Sequence, residues 1–208
     1  MVFSSIIFLL YFLPVFLSLY FISPTRWKNE VALAGSCFFY AWGAPEFFFA
    51  VFVSLILDFY LVHLFSNSKG NLRKRLFLAA ILSNVLMLLL AKYLNFFVGN
   101  INELLHIFGG KTFSWQNILL PIGVSFITFQ KLSYVIDCYR EKVKPLNRLR
   151  DYMVYILLFP QLIAGPIVRF NEVASQLINR SSQDNIDYKV SGFFRFIIGL
   201  SKKVLIAN

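Results

Sequence analysis

The chain alternates between long apolar runs and short polar segments. A helix of about 20 apolar residues, rising about 1.5 Å per residue, crosses a bilayer core of about 30 Å. The pattern therefore predicts an all-α polytopic membrane protein with a single transmembrane region over residues 1–208. The predicted elements are spans at about 2–22, 31–42, 46–65, 76–98 and 119–140, a re-entrant element at 152–168, and an interfacial or spanning helix at 192–207.

Glycine and proline interrupt two of these apolar stretches. Gly43-Ala44-Pro45 predicts a helical hairpin, whose first arm of 12 residues reaches only about 18 Å. Pro160 and Pro166 break the stretch at 152–168, which favours a re-entrant element or a tilted pair of half-helices. Because irregular backbone at membrane depth must be covered by protein or line a cavity, this stretch indicates an internal cavity.

The distribution of charge predicts the orientation of the spans. The segments 23–30, 66–75 and 140–150 are basic, whereas 43–46 and 99–117 are acidic or neutral. Lys and Arg concentrate in cytoplasmic loops, so the N-terminus is predicted to lie outside. The net charge of +10 is divided among these short loops, which argues against a nucleic-acid partner. Only 14% of the residues are charged, against about 25% in soluble domains.

Polar side chains lie within the apolar run 119–140. At about 100° per residue, Gln130, Ser133 and Asp137 share one helix face, with Tyr134 at its edge. Polar groups at membrane depth face protein or a water-filled cavity, so this helix is predicted to line the interior of a helix bundle. Two interpretations of the stripe remain open: the wall of a tunnel, and ordinary hydrogen bonding between helices.

Two charged residues in the predicted spans match in depth. Asp58 lies about eight residues from the cytoplasmic end of its helix, and Lys131 about nine from the cytoplasmic end of its own. An unpaired charge at that depth costs several kcal/mol, so we expect the two to form a buried ion pair. The alternative is that both side chains face water in a cavity.

No catalytic motif emerges from the residues themselves. The sequence has no G-x-S-x-G, no phosphate-binding glycine loop, no H-E-x-x-H and no C-x-x-C, so we predict no metal site and no bound cofactor. Cys37 and Cys138 fit small buried side chains. His63 and His106 have no partner at ligand or relay spacing, and both are interpreted as structural.

Several ordered motifs nevertheless resemble those of the membrane-bound O-acyltransferase family, in particular its bacterial branch of alginate O-acetyltransferases and teichoic-acid D-alanyl transferases. These motifs are Phe38-Phe39-Tyr40-Ala41-Trp42-Gly43, Lys92-Tyr93-Leu94-Asn95-Phe96-Phe97, Pro121-Ile122-Gly123-Val124-Ser125-Phe126, Thr128-Phe129-Gln130, Ser133-Tyr134-Val135-Ile136-Asp137, Tyr139-Arg140, Phe159-Pro160-Gln161-Leu162-Ile163-Ala164-Gly165-Pro166-Ile167-Val168-Arg169, Gly199-Leu200-Ser201-Lys202-Lys203-Val204 and Ile206-Ala207.

The resemblance implies a many-helix fold around a tunnel through the bacterial cytoplasmic membrane. An acyl group, here expected to be acetyl, would pass from a cytoplasmic thioester donor, acetyl-CoA or an acyl carrier, to a hydroxyl of an exported polysaccharide. Membrane lipid and an extracytoplasmic co-transferase are further expected partners. Tunnel-lining or structural roles carry over to five residues: Gln130, Ser133, Asp137, Gln161 and Pro166.

The catalytic histidine of that family lies in a Trp-His-Gly-type motif downstream of the Lys-Lys block. This sequence has no match to that motif, so we expect the chain to be the N-terminal part of an O-acyltransferase, with no catalytic residue and no activity by itself. Two other functions remain open from the sequence. One is a transporter-type membrane protein whose polar stripe carries a solute, and the other is a non-catalytic membrane subunit.

Overall fold

The computed structural model describes residues 5–111, 113–114, 123–162, 169–178 and 185–206. Within these ranges the regular structure is helical, without strands. A π-helical turn, Phe8–Phe12, leads into α1, and a short 3₁₀ turn, Thr25–Trp27, precedes α2. The α-helices are α1 Leu13–Ile22, α2 Lys28–Gly43, α3 Pro45–Ser66, α4 Gly70–Ile107, α5 Val124–Tyr139, α6 Leu149–Leu157, α7 Phe159–Leu162, α8 Phe170–Ile178 and α9 Ile186–Leu205.

The turn expected at Gly43-Ala44-Pro45 is present between α2 and α3. Helix α2 ends at Gly43, and Pro45 opens α3 in its first turn, where a missing backbone N–H removes no helical hydrogen bond. Glu46 lies in the same first turn, where its charge is favourable to the helix dipole. The two helices pack against each other and form the hairpin.

Helix α4 is longer than the span predicted at 76–98. It runs without interruption for 38 residues, about 57 Å, so a helix now covers part of two segments interpreted as connections, 66–75 and 99–117. The physical reason is that hydropathy indicates which residues suit the lipid core, but it does not indicate where a helix begins or ends. Leu, Lys and Arg all have high helix propensity, so a helix can continue through a polar segment that contains them. The polar residues at 70–75 end the apolar run but do not end the helix.

Two helices of the described part of the chain are long and apolar enough to cross a membrane. They are α3, with 22 residues and a mean hydropathy of 2.2 in its most apolar window, and α4, with a mean hydropathy of 2.0. The segment Phe8–Ile22 is apolar but shorter. An all-helical fold with these two helices is consistent with an all-α membrane protein.

Helix α5 lies at the centre of the fold. It packs against α3, α4 and α6, and its buried side chains therefore point in several directions. The helix begins after Gly123, whose backbone is left-handed with φ of +71°. The first residues of the predicted span, 119–122, lie outside the described residues.

The stretch after α5 is broken as its prolines predict. Helix α6 ends at Leu157, Leu158 leaves the helical conformation with φ of −53° and ψ of 110°, and α7 begins at Phe159. Pro160 cannot continue α6, because it lacks an N–H and its ring clashes with the preceding turn. The second predicted break, at Gly165-Pro166, lies outside the described residues.

The three basic segments meet at one end of the helix bundle. Arg73, at the start of α4, forms an ion pair of 2.8 Å with Glu141 and donates a hydrogen bond of 2.7 Å to the backbone oxygen of Tyr139. Arg150, at the start of α6, is paired with Glu30 at the start of α2. These contacts tie 23–30 and 66–75 to the segment 140–150.

Candidate functional site

A buried ion pair joins α3 and α5. The Nζ atom of Lys131 lies 3.0 Å from Oδ2 of Asp58, and both side chains are only 1% exposed. The two residues expected to pair from their depth are therefore in contact. The Lys131 ammonium group also donates to Oγ of Ser54 at 3.0 Å and points at Sδ of Met87 at 4.0 Å, so each of its three N–H groups has a partner.

Asn84 of α4 completes this centre. Its Nδ2 atom lies 2.9 Å from each carboxylate oxygen of Asp58 and 2.8 Å from the backbone oxygen of Ala80. Asn84 is 1% exposed. We call Ser54, Asp58, Asn84 and Lys131 the polar centre.

The polar centre fixes the relative positions of α3, α4 and α5. A charge removed from water costs several kcal/mol unless an opposite charge and hydrogen bonds compensate for it. Here the carboxylate of α3 is compensated by an amide from α4 and an ammonium group from α5. Sliding or rotating any one of the three helices would separate these groups, so the centre specifies their register.

Gln130 faces a different neighbour from Lys131, because consecutive residues on a helix are about 100° apart. Its side chain is fully buried, and Nε2 donates a hydrogen bond of 2.8 Å to the backbone oxygen of Tyr155 in α6. Within the described part of the chain, Oε1 of Gln130 has no hydrogen-bond partner. Next to it, the hydroxyl of Tyr134 accepts a hydrogen bond of 2.8 Å from the backbone N–H of Leu146.

The predicted polar stripe is not buried as a unit. Gln130 is fully buried, whereas Ser133 and Asp137 are half-buried, as is Gln161 of α7. Pro166 lies outside the described residues. The structure therefore brings Asp58 and Lys131 together, connects Gln130 to α6, and leaves Ser133 and Asp137 on a partly open side of α5.

Sequence reasoning did not identify Asn84 and Ser54. Both residues are polar and lie inside apolar runs, at 76–98 and 46–65, and this is the signal that singled out the residues of 119–140. Each lies on the same helix face as a residue that contacts Lys131: Ser54 is four residues before Asp58, and Asn84 is three residues before Met87. Which polar residues meet across helices requires the packing itself.

The histidines and cysteines lie away from any metal-binding arrangement. In α3, Nδ1 of His63 is 3.1 Å from the backbone oxygen of Phe59 one turn earlier, and His106 is exposed in the last turn of α4. Cys138 is buried and Cys37 half-buried, each with a free thiol. Among the described residues, no group of three or more His, Cys, Asp or Glu side chains is placed to hold a metal ion.

Replacing Asn84 with Leu is expected to lower the free energy of unfolding by about 1.5–3 kcal/mol, because a hydrogen bond to a charged group has about this value. The measurement is thermal or denaturant unfolding in detergent. The matched control is Asn100→Leu in the same helix, since Asn100 also donates to the backbone four residues earlier but is exposed. Equal effects of the two substitutions would contradict a special role of Asn84.

These features define the class of protein. A helical chain with two helices able to cross a bilayer, and with a buried ion pair at the point where three helices meet, is typical of an integral membrane protein. Interior charges in such proteins are paired with one another, as Asp58 and Lys131 are here.

Comparison with known proteins finds similar proteins along the whole chain. The chain is 38% identical over its whole length to the "Probable alginate O-acetylase AlgI" of Pseudomonas aeruginosa and 37% identical to that of Azotobacter vinelandii, covering 40% and 42% of those proteins. A "Peptidoglycan O-acetyltransferase" of Helicobacter pylori is 30% identical, with 45% of its length covered. The chain is thus similar over its whole length to these O-acetyltransferases, and the resemblance stated from its motifs is confirmed.

The chain spans about two fifths of the length of the curated relatives that it matches. No family model matches it, and neither does a solved structure.

Proposed function

We propose that these residues form part of a membrane O-acyltransferase that transfers an acetyl group to a hydroxyl of an exported polysaccharide. The observation that carries the proposal is the match of the whole chain to proteins named alginate O-acetylase. The more distant relative is named for O-acetyl transfer to peptidoglycan, so the names share a glycan acceptor and an acetyl group. In the reaction, the hydroxyl oxygen bonds to the acetyl carbon of a cytoplasmic thioester, acetyl-CoA or an acyl carrier, and the thiol leaves.

The proposed setting is the bacterial inner membrane, crossed several times, with the N-terminus outside. Two observations support this topology. The segments 23–30, 66–75 and 140–150 are basic, and ion pairs and hydrogen bonds connect them at one end of the bundle. Positive segments gathered at one end are expected to remain together on the cytoplasmic side.

The polar centre is proposed to hold the helix frame rather than to take part in the chemistry. Both carboxylate oxygens of Asp58 are already engaged by Asn84 and Lys131, and the side chain is 1% exposed, so it is unsuited to meet a substrate hydroxyl.

Tunnel-lining roles remain proposals for Gln130, Ser133, Asp137, Gln161 and Pro166. The partly open positions of Ser133, Asp137 and Gln161 support this assignment. An extracytoplasmic co-transferase is proposed as a partner by resemblance alone.

Expression of the natural reading frame that encodes this chain, in an alginate-producing host that lacks its own alginate O-acetylase, is expected to restore O-acetyl groups to the polymer. Acetyl released by mild alkali, relative to uronic acid, is the measurement. A host carrying the frame without the codons for α3 to α5 is the negative control. If peptidoglycan gains acetyl groups and alginate does not, the proposed O-acetyl transfer stands, but its acceptor is peptidoglycan.

The proposal fails if the protein accumulates in the membrane and neither glycan gains acetyl groups. In that case, solute flux into proteoliposomes without any acyl donor would favour a transporter.

A further inference from the structure

We propose that the groove between α1 and α2 holds one acyl chain of a membrane phospholipid. The groove has a volume of about 550 Å³, within the range of about 300–1,000 Å³ that is usual for small-molecule sites. Its walls are residues that recur every three or four positions, from Ile7 to Ser23 along the first helical segment and from Val31 to Trp42 along α2. The proposal goes beyond the acyl-transfer reaction and depends only on the membrane setting.

The groove runs across the predicted bilayer and not along its surface. Helices α1 and α2 are joined by a short connection and pack against each other, so they are antiparallel. Ser23 and Val31 therefore lie at one end of the groove, beside the basic segment that the charge pattern assigns to the cytoplasm, and Ile7 and Trp42 lie at the other. Lipid tails extend in the same direction.

The lining of the groove favours an apolar occupant. None of the described residues that line it is charged. The hydroxyl of Ser23 already donates a hydrogen bond of 2.6 Å to the backbone oxygen of Leu19. The other polar groups, the hydroxyl of Tyr11 and the indole N–H of Trp42, lie toward the opposite end. The stretch between the two ends is apolar and suits a hydrocarbon chain.

Small residues of α2 leave the space that forms the groove. The ring of Phe16 lies so close to Gly35 that a Cβ added there would be 2.5 Å from Cδ2 of that ring. The two helices therefore approach closely at Gly35. Ala34, next to it, is exposed and lines the groove with a single methyl group.

The width of the groove distinguishes an acyl chain from a protein helix. Over its length of about 17–24 Å along the helices, the volume of about 550 Å³ corresponds to a cross-section of about 23–32 Å². A helix about 10–12 Å in diameter needs about 80–110 Å². A hydrocarbon chain is only about 4–5 Å thick, because carbon atoms contact one another at about 3.5–4.0 Å. The groove thus admits one chain, whereas a helix can cover it but cannot enter it.

Photolabelling of the natural protein in nanodiscs tests where the chain lies. The probe is a phosphatidylcholine that carries a diazirine on one acyl chain, and the labelled residues are mapped by tandem mass spectrometry. Leu19 lines the groove and is 57% exposed, whereas Leu82 of α4 lies outside it and is 65% exposed. Each is seven residues from the nearest arginine of its segment, Arg26 or Arg75, so their depths match. Leu19 is expected to be labelled more strongly than Leu82, because a bound chain stays beside it.

A substitution that fills the groove tests whether this excess depends on the groove. Ala34 is exposed, so Ala34→Phe should fold, and its ring should occupy the space of the acyl chain. The excess labelling of Leu19 over Leu82 should then be lost. The matched control is Ala50→Phe, at an exposed alanine of α3 outside the groove, and it should keep the excess.

The proposal is overturned if the wild type is labelled equally at Leu19 and Leu82, as lipid that merely surrounds the protein would give, or if the excess persists in Ala34→Phe. Weaker labelling of Leu19 than of Leu82, as when another helix of the natural protein covers the groove, overturns it as well. These outcomes are independent of the proposed O-acetyl transfer, because no acetyl group is measured.

Discussion

Replacing Lys131 with Met is expected to lower the free energy of unfolding by about 3–5 kcal/mol, the cost of leaving a buried charge without its partner. Asp58 would keep its amide contact with Asn84 but lose the ammonium group 3.0 Å away. For a protein with a total stability of about 5–15 kcal/mol, this is a large share, and little folded protein should be recovered from membranes. The loss of stability is measured by heating the protein in detergent and quantifying the folded protein that remains by size-exclusion chromatography.

A second substitution distinguishes a lost ion pair from a lost side chain. Asp58→Asn combined with Lys131→Met removes both charges and leaves an amide that still accepts a hydrogen bond from Asn84. This double variant should recover most of the stability, because replacing both charges of a buried pair by neutral groups is often close to neutral. Lys92→Met, at an exposed lysine of α4, is the control and should have little effect. A double variant as unstable as the single one would show that the charge pairing is not the cause.

Replacing Gly123 with Ala is expected to destabilise the start of α5. The residue has φ of +71°, a conformation that costs a side-chain-bearing residue about 1–2 kcal/mol. In addition, the new Cβ would lie 2.6 Å from the backbone oxygen of Leu162, so α5 and α7 would have to move apart. The free energy of unfolding should fall by more than the conformational cost alone, and protease sensitivity should rise near α7.

Gly99→Ala provides the matched control for this substitution. Gly99 lies inside α4 with open space around its added Cβ, so alanine there should stabilise the helix by up to about 1 kcal/mol. The two Gly→Ala changes are thus expected to have opposite signs. If Gly123→Ala unfolds at the same temperature as the wild type, the close approach of α5 and α7 is not as described.

The comparison between sequence and structure is clearest in α4. The apolar run indicated the part of the helix that suits lipid, but the helix itself runs from Gly70 to Ile107. Helix ends depend on backbone hydrogen bonding and propensity, and both continue through polar residues. At Pro45 and Pro160, by contrast, the breaks were predictable, because proline interrupts a helix by its own covalent structure.

The sequence by itself determined the helical class and the resemblance to O-acyltransferases, and it gave the pairing of Asp58 with Lys131 as one of two alternatives, between which the structure decided. These properties depend on the type of each residue and on its position along the chain. Hydrophobic runs, ordered motifs and the cost of burying a charge can therefore be evaluated without knowing how the helices pack. Only the tertiary structure decided that Asn84 joins this pair, that Gln130 binds the backbone of α6, and that Asp137 stays partly open. Those outcomes depend on how each helix is rotated about its axis, which is set by the packing of all its neighbours together.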